Sequence, residues 1–268
     1  MKKKIKVLTV LGTRPEIIRL SRIIKKLDNN FDHYILHTNQ NFDIDLKDTF
    51  LKDFKIKPNK ILKKNSKSSI EKISDILYET DLLIKKIKPD AFLVLGDTNS
   101  ALSAISAKKN KVPVFHIEAG NRCFNQNVPE EINRKIVDHI SDINLTYSDF
   151  AKENLKREGF SSDQIFKIGS PLYEVIKYNE KHIDENFYLK KNKLTKKKFI
   201  LVSFHRDENI RNNDRLNSFI NILKNLSKKF NFKILVSTHP RLKEKLINNK
   251  NILNKNIILS RPFGYYEY

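Results

Sequence analysis

Residues 113–139, PVFHIEAGNRCFNQNVPEEINRKIVDH, place acids on either side of a glycine turn. An apolar run from Val112 to Ile117 stops at Glu118. A polar loop then leads to a helix-like segment that opens Pro129, Glu130, Glu131. A second apolar run, AFLVLG (91–96), is followed at once by Asp97 in GDTNS. Carboxylates gathered on one rim raise each other's proton affinity, which makes a base or an acid available near neutral pH. General acid/base chemistry at Asp97, Glu118 and Glu130 is therefore the first expectation. Each acid also has a plainer account. Asp97 alone reads as a cap on the following helix, and Glu130 and Glu131 suit the positive end of theirs.

Basic residues sit at other strand ends. LGTRPE (11–16) reads as strand, turn and helix start, with Pro15 near the first helical position. The helix N-terminus and Arg14 together suit an anion; an ordinary loop with a solvent-facing arginine explains the same pattern. FHRDEN (204–209) and THPR (238–241) each set a histidine and an arginine at a strand end, namely His205, His239 and Arg241 among them. Two such pairs on parallel strands fit phosphate binding. His116, inside an apolar run, reads as a satisfied core histidine. There is no G-x-G-x-x-G and no G-x-x-x-x-G-K-[ST], so neither a dinucleotide fingerprint nor a P-loop is supported. No spacing of His, Asp and Glu matches a metal-ligand set. The single cysteine, Cys123, excludes an internal disulfide and a Cys-based zinc cluster.

The elements that must position these groups alternate. Strand patterns at 5–11, 33–38, 91–96 and VPVFHI are interleaved with helical ones. The helix after the first strand shows Ile17, Leu20, Ile24 and Leu27 at spacings of three and four. Another near 68–87 shows Ile73, Ile76, Leu77, Leu83, Ile84 and Ile87. A short helix is expected from Ser100 to Asn110, and further units follow through DINLTYS and IFKIGS. This is the pattern of βαβ units around a parallel sheet, an α/β fold. The expectation is a first domain at 1–178, a basic linker at 179–198 and a second α/β domain at 199–268. That second set offers strands at 199–206, 232–239 and 256–262, with helices around 213–229 and from Pro240. An open α/β sheet usually has about four to six strands, so the second domain is expected to be incomplete, with its last strand at an unprotected edge.

The chain has 268 residues and a net charge of +21. Its lysines are spread along the chain and thin out near the candidate site, so a nucleic-acid partner is not expected. A basic surface still attracts an anionic substrate. No apolar run approaches the roughly 18 residues of a membrane span. The opening MKKKIKVLTVLGTRPE lacks a cleavage site and reads as a buried strand of a cytoplasmic protein with no membrane partner.

In order along the chain, GTRPEIIRLSRII, VLGDTNS, HIEAGNRC, VPEEINRKIVDH, IGSP and SFHRDEN resemble the non-hydrolysing UDP-N-acetylglucosamine 2-epimerases. The resemblance runs from about residue 5 to the C-terminus. It implies two Rossmann-like domains of the B-type glycosyltransferase kind, a homodimer, and no nicotinamide or metal cofactor. It implies loss of the C2 proton and elimination of UDP from C1 to give a 2-acetamidoglucal, followed by re-addition of UDP and protonation on the other face. Asp97, Glu118 and Glu130 match the three catalytic carboxylates, and His205 the histidine that assists departure of UDP. Arg14 matches an arginine near the nucleotide, and Arg134 a further basic residue at the site. Position 19 carries arginine where the commonest pattern has lysine. With GNRC and VPEEINRKIVDH, Arg19 makes the chain look more like the branch acting on UDP-2-acetamido-2,6-dideoxy-L-talose, which makes UDP-N-acetyl-L-fucosamine for capsule and O-antigen polysaccharides. Family members continue for about another third of this length, so a C-terminally truncated chain is expected. An inactive or partner-dependent fragment, or another nucleotide-sugar enzyme of the same fold, are the competing expectations.

Overall fold

The computed structural model describes residues 4–40, 44–63, 68–204, 212–238, 242, 245–246 and 256–268, and the side chains of 44–47 are not among them. The chain forms two compact units, Met1–Tyr178 and Asn179–Tyr268.

The first unit is built on a seven-stranded, all-parallel sheet. In chain order its elements are β1 (Lys6–Leu11), α1 (Arg14–Asn30), β2 (Asp32–His37), α2 (Ile44–Asp53), β3 (Lys60–Ile61), α3 (Ser69–Ile87), β4 (Ala91–Leu95), a 3-10 turn at Asn99–Ser103, α4 (Ala104–Lys109), β5 (Val114–Ala119), α5 (Pro129–Ile140), β6 (Ile143–Thr146), α6 (Asp149–Arg157), β7 (Ile165–Lys167) and α7 (Leu172–Glu180). The spatial order is β3-β2-β1-β4-β5-β6-β7. Leu8, Val10, Phe92, Val94 and Val114 from neighbouring strands share one core with Ile76 and Ile84 of α3. Val7, Leu11, Leu93 and Leu95, which alternate with them, are buried as well, so the central strands are apolar on both faces.

Local chemistry starts the helices. Ser68 Oγ accepts from the Glu71 amide at 3.1 Å, and the Glu71 carboxylate accepts from the Ser68 amide at 3.1 Å, a reciprocal cap on α3. α1 buries Ile17, Leu20 and Ile24, the stripe its spacing predicts. The expected helix at Ser100–Asn110 is split. Thr98 Oγ1 accepts from the Ser100 amide at 3.2 Å and winds the first turn tightly as 3-10 before α4 begins. α2 and β3 had no counterpart among the expected elements. β3 is only two residues long, too short to show a period.

The second unit carries α8 (Glu185–Lys191), β8 (Phe199–Ser203), α9 (Asn213–Phe230), β9 (Lys233–Ser237) and β10 (Ile257–Ser260). Among the described residues its sheet has three parallel strands in the order β10-β9-β8. Leu216, Phe219, Ile220 and Leu223 of α9 pack with Ile234 and Val236 of β9. The stretch read as a linker contains α8, and Lys191 and Asn192 at its end each reach the Glu267 carboxylate at 3.2 Å. The start of the helix expected from Pro240 lies outside the described residues, although Leu242 and Leu246 are buried in the same core.

Candidate active site

The strand order reverses between β1 and β4, which opens a crevice at their carboxyl ends, the usual ligand site of such sheets. Gly12 leaves β1 at that point. A Cβ there would lie 1.9 Å from Thr38 Oγ1 and 2.4 Å from Ser100 Oγ, so only glycine lets β1 pass so close to its neighbours. Those two hydroxyls hydrogen-bond each other at 2.7 Å.

Glu16, a residue not singled out as functional from sequence, organises this turn. Its Oε2 accepts from the Gly12 and Thr13 amides at 2.6 and 2.7 Å, and its Oε1 accepts from Thr98 Oγ1 at 2.6 Å. Burial raises its proton affinity, and the bonds from Thr98, Gly12 and Thr13 oppose that. The readable signal was T-x-x-E at Thr13–Glu16, the mark of a capping box. One consequence changes the expectation for LGTRPE. Two amides that an anion would have used are taken by Glu16, and Arg14 beside them is exposed. Its guanidinium lies 5.7 Å from the centre of the Phe50 ring.

Asp97 and Glu118 come together across β4 and β5. Gly96, between them, donates from its amide to the Ile117 carbonyl at 2.9 Å. A Cβ on Gly96 would be 3.6 Å from Glu118 Oε2. Glu118 does not end the strand, as its sequence suggested; it forms a bulge within it. The register with β6 slips between Ile117 and Ala119, and Glu118 takes a φ of 69°, a conformation rare for a side-chain-bearing residue. The bulge aims its carboxylate at the crevice side of Gly96. Glu118 Oε2 pairs with Arg19 Nη1 and its Oε1 accepts from Asn121 Nδ2 at 3.3 Å. Burial raises the Glu118 pKa; the Arg19 charge opposes this and the Asp97 charge adds to it. Asp97 Oδ2 accepts from Arg134 Nη2 and, at 3.0 Å, from Arg134 Nε. Each of the two acids thus holds one of the expected substrate-binding arginines.

The bulge is clamped from both flanks. His116 Nε2 donates to the Gly96 carbonyl at 2.8 Å and its Nδ1 donates to Asp138 Oδ1 at 2.8 Å. Asp138 also accepts from the Gly120 amide at 3.1 Å and from Arg122 Nη1 at 2.7 Å. Burial works against the Asp138 charge, but His116 and Arg122 hold its pKa below the usual value. His116 is a satisfied core histidine, as expected, with the added task of fixing the residues beside Glu118.

The two acids that open α5 divide the expected work. Glu131 is fully buried and accepts from the Cys123 and Phe124 amides at 3.0 and 3.2 Å and from Arg134 Nη1 at 2.9 Å. Glu130 is exposed at the helix start. Tyr147, just past β6, was not singled out from sequence; its hydroxyl is buried. His205, His239 and Arg241 lie outside the described residues. Among the described residues no group of three His, Cys, Asp or Glu side chains is placed to hold a metal, and no helix is long and apolar enough to cross a membrane.

The family model of UDP-N-acetylglucosamine 2-epimerase matches residues 25–268. The chain belongs to this epimerase family. The structure of UDP-N-acetylglucosamine 2-epimerase from Rickettsia bellii is similar, with 40% identity and a TM-score of 0.89, over 99% of this chain and 71% of that one. The UDP-N-acetylglucosamine 2-epimerase of Methanocaldococcus jannaschii is 35% identical over 97% of this chain and 74% of its own length. A crystal structure of the same protein in complex with UDP-GlcNAc and UDP superposes with a TM-score of 0.86 over 98% of this chain and 75% of that one. A Pseudomonas aeruginosa UDP-2,3-diacetamido-2,3-dideoxy-D-glucuronate 2-epimerase is 32% identical over 98% of this chain and 74% of its length.

Proposed function

We propose that the chain inverts C2 of a UDP-2-acetamido sugar by eliminating UDP and adding it back. The observation that carries this reading is the approach of Asp97, just past β4, and Glu118, turned by a bulge on the neighbouring β5. Inversion at carbon needs a proton removed from one face and one delivered to the other, and two separately held carboxylates supply both groups. In the forward half, one carboxylate takes the C2 proton, the C1–O bond to UDP breaks with its electron pair leaving on UDP, and a C1–C2 double bond forms. Re-addition of UDP and protonation on the opposite face complete the turnover. Glu118, whose proton affinity burial raises, suits the base that takes the C2 proton. Glu130 at the exposed helix start, and His205 with the departing UDP, keep the roles their motifs imply. Arg14, His239 and Arg241 are the proposed groups for the diphosphate.

Two relatives act by name on differently substituted sugars, so the ring substituents are the variable part. We favour UDP-2-acetamido-2,6-dideoxy-L-talose, giving UDP-N-acetyl-L-fucosamine for surface polysaccharide, because the GTRPEIIRLSR, GNRC and VPEEINRKIVDH forms together resemble that branch. Incubation with that compound and, separately, with UDP-N-acetylglucosamine, followed by NMR of the C2 stereocentre, tests both levels. Faster inversion of the 6-deoxy sugar supports the branch. Inversion of UDP-N-acetylglucosamine alone rejects the branch and keeps the chemistry, and inversion of neither rejects the function.

A further inference from the structure

Tyr147 carries a phenol hydroxyl that is shut off from solvent and has no hydrogen-bond partner among the described residues. A buried donor without an acceptor destabilises the fold that contains it. Its position gives it a use. Thr146 pairs with Ala119 across β6 and β5, so Tyr147 leaves the sheet beside the Glu118 bulge. The charges that act on its phenol are those of Glu118 and Arg19. Burial and then the Glu118 charge raise its pKa, with Arg19 opposing, so the hydroxyl keeps its proton and can only donate.

Glu118 is meanwhile committed to Arg19, whose side chain is 30% exposed and open to an arriving anion. A base paired to a guanidinium is a poor base, and an arginine paired to a carboxylate is a poor phosphate ligand. Both are released together if the ligand's diphosphate draws Arg19 away. Glu118 would then lose its main countercharge while Asp97 remains near it, and a neutral donor at hand would hold the carboxylate in place.

We propose that Tyr147 is a positioning residue for Glu118: when a nucleotide diphosphate takes Arg19, the Tyr147 O–H replaces it as the hydrogen-bond donor to the Glu118 carboxylate. The inference rests on the epimerase reading above. The groups that face Glu118 are Arg19 from α1, Asp97 beyond β4 with Arg134 of α5 upon it, His116 on β5, Asn121 in the following loop and Tyr147 beyond β6.

The test is Tyr147→Phe in the full chain, which keeps the ring and removes the hydroxyl. In the free protein no bond is lost, so urea stability should be unchanged or higher, and the acid limb of kcat/KM, which reports the free enzyme, should stay where it is. In the complex the donor is missing. We expect kcat to fall about tenfold, with its acid limb moved to higher pH. A less stable ligand-free variant would show that the hydroxyl is already bonded and would overturn the proposal. So would an active wild type matched by the variant in kcat and in both pH profiles. A wild type that inverts neither UDP sugar would overturn the epimerase reading, and this proposal with it.

Discussion

The carboxylate of Asp138 accepts from His116 Nδ1 at 2.8 Å, and both residues are fully buried. His116 lies two residues before Glu118, and Gly120, whose amide donates to the same carboxylate at 3.1 Å, lies two residues after it. One buried acid on α5 thus holds both ends of the bulge that turns Glu118 into the crevice. A backbone conformation with φ of 69° at a glutamate persists only where its surroundings over-determine it.

Asp138→Asn should therefore reduce stability and activity together. It leaves His116 and Arg122 facing a neutral amide in a closed interior, which costs about 3–5 kcal/mol in comparable buried pairs. Urea unfolding measures the loss. The pH dependence has a definite sign. Because the Asp138 pKa is depressed from 3.8, its contribution is full above that value and is lost as pH falls through the folded-state value. The variant should show a flatter stability profile in that acid range than the wild type. Equal profiles would remove Asp138 as the clamp.

The raised Glu118 pKa should appear in the kinetics. If the ionised carboxylate takes the proton, the acid limb of kcat/KM lies above the ordinary 4.5. Arg19→Gln removes the charge that opposes the shift and should move the limb further up. A limb that moves down, or stays fixed, would mean that another group titrates there.

Gly12→Ala should be destabilising by about 1–3 kcal/mol, because its methyl would fall 1.9 Å from Thr38 Oγ1 and a hydroxyl pair would have to part. Thermal unfolding measures this. A neutral result would show that the approach of β1 to Thr38 and Ser100 relaxes freely.

Sequence patterns carried the strand ends well. AFLVLG and VPVFHI are apolar on both faces because β4 and β5 are covered on both sides, and Asp97 stands just past its strand. The bulge at Glu118 was not legible, since its φ depends on Asp138, which is 20 positions away and joined to it only by hydrogen bonds made in the folded state. The Arg19–Glu118 and Arg134–Asp97 pairs were hidden for the same reason: arginines that read as anion ligands sit on carboxylates supplied by other elements. Glu16 was legible in principle, through its capping box, but T-x-x-E marks many helix starts that have no functional site. Residue type and spacing do not separate Glu130 from Glu131, although the motif resemblance picks Glu130. Only the loop amides of Cys123 and Phe124 decide that Glu131 is the structural one.

Proton transfer at C2 by Asp97 and Glu118 is the central claim, and solvent isotope reports it directly. The full chain, incubated in deuterium oxide with UDP-2-acetamido-2,6-dideoxy-L-talose or UDP-N-acetylglucosamine, should place deuterium at C2 of the sugar recovered. Glu118→Gln and Asp97→Asn should each slow that incorporation by about 100- to 10,000-fold while remaining folded. Incorporation at the wild-type rate in both variants, or epimerisation with the C2 proton retained, would contradict the account.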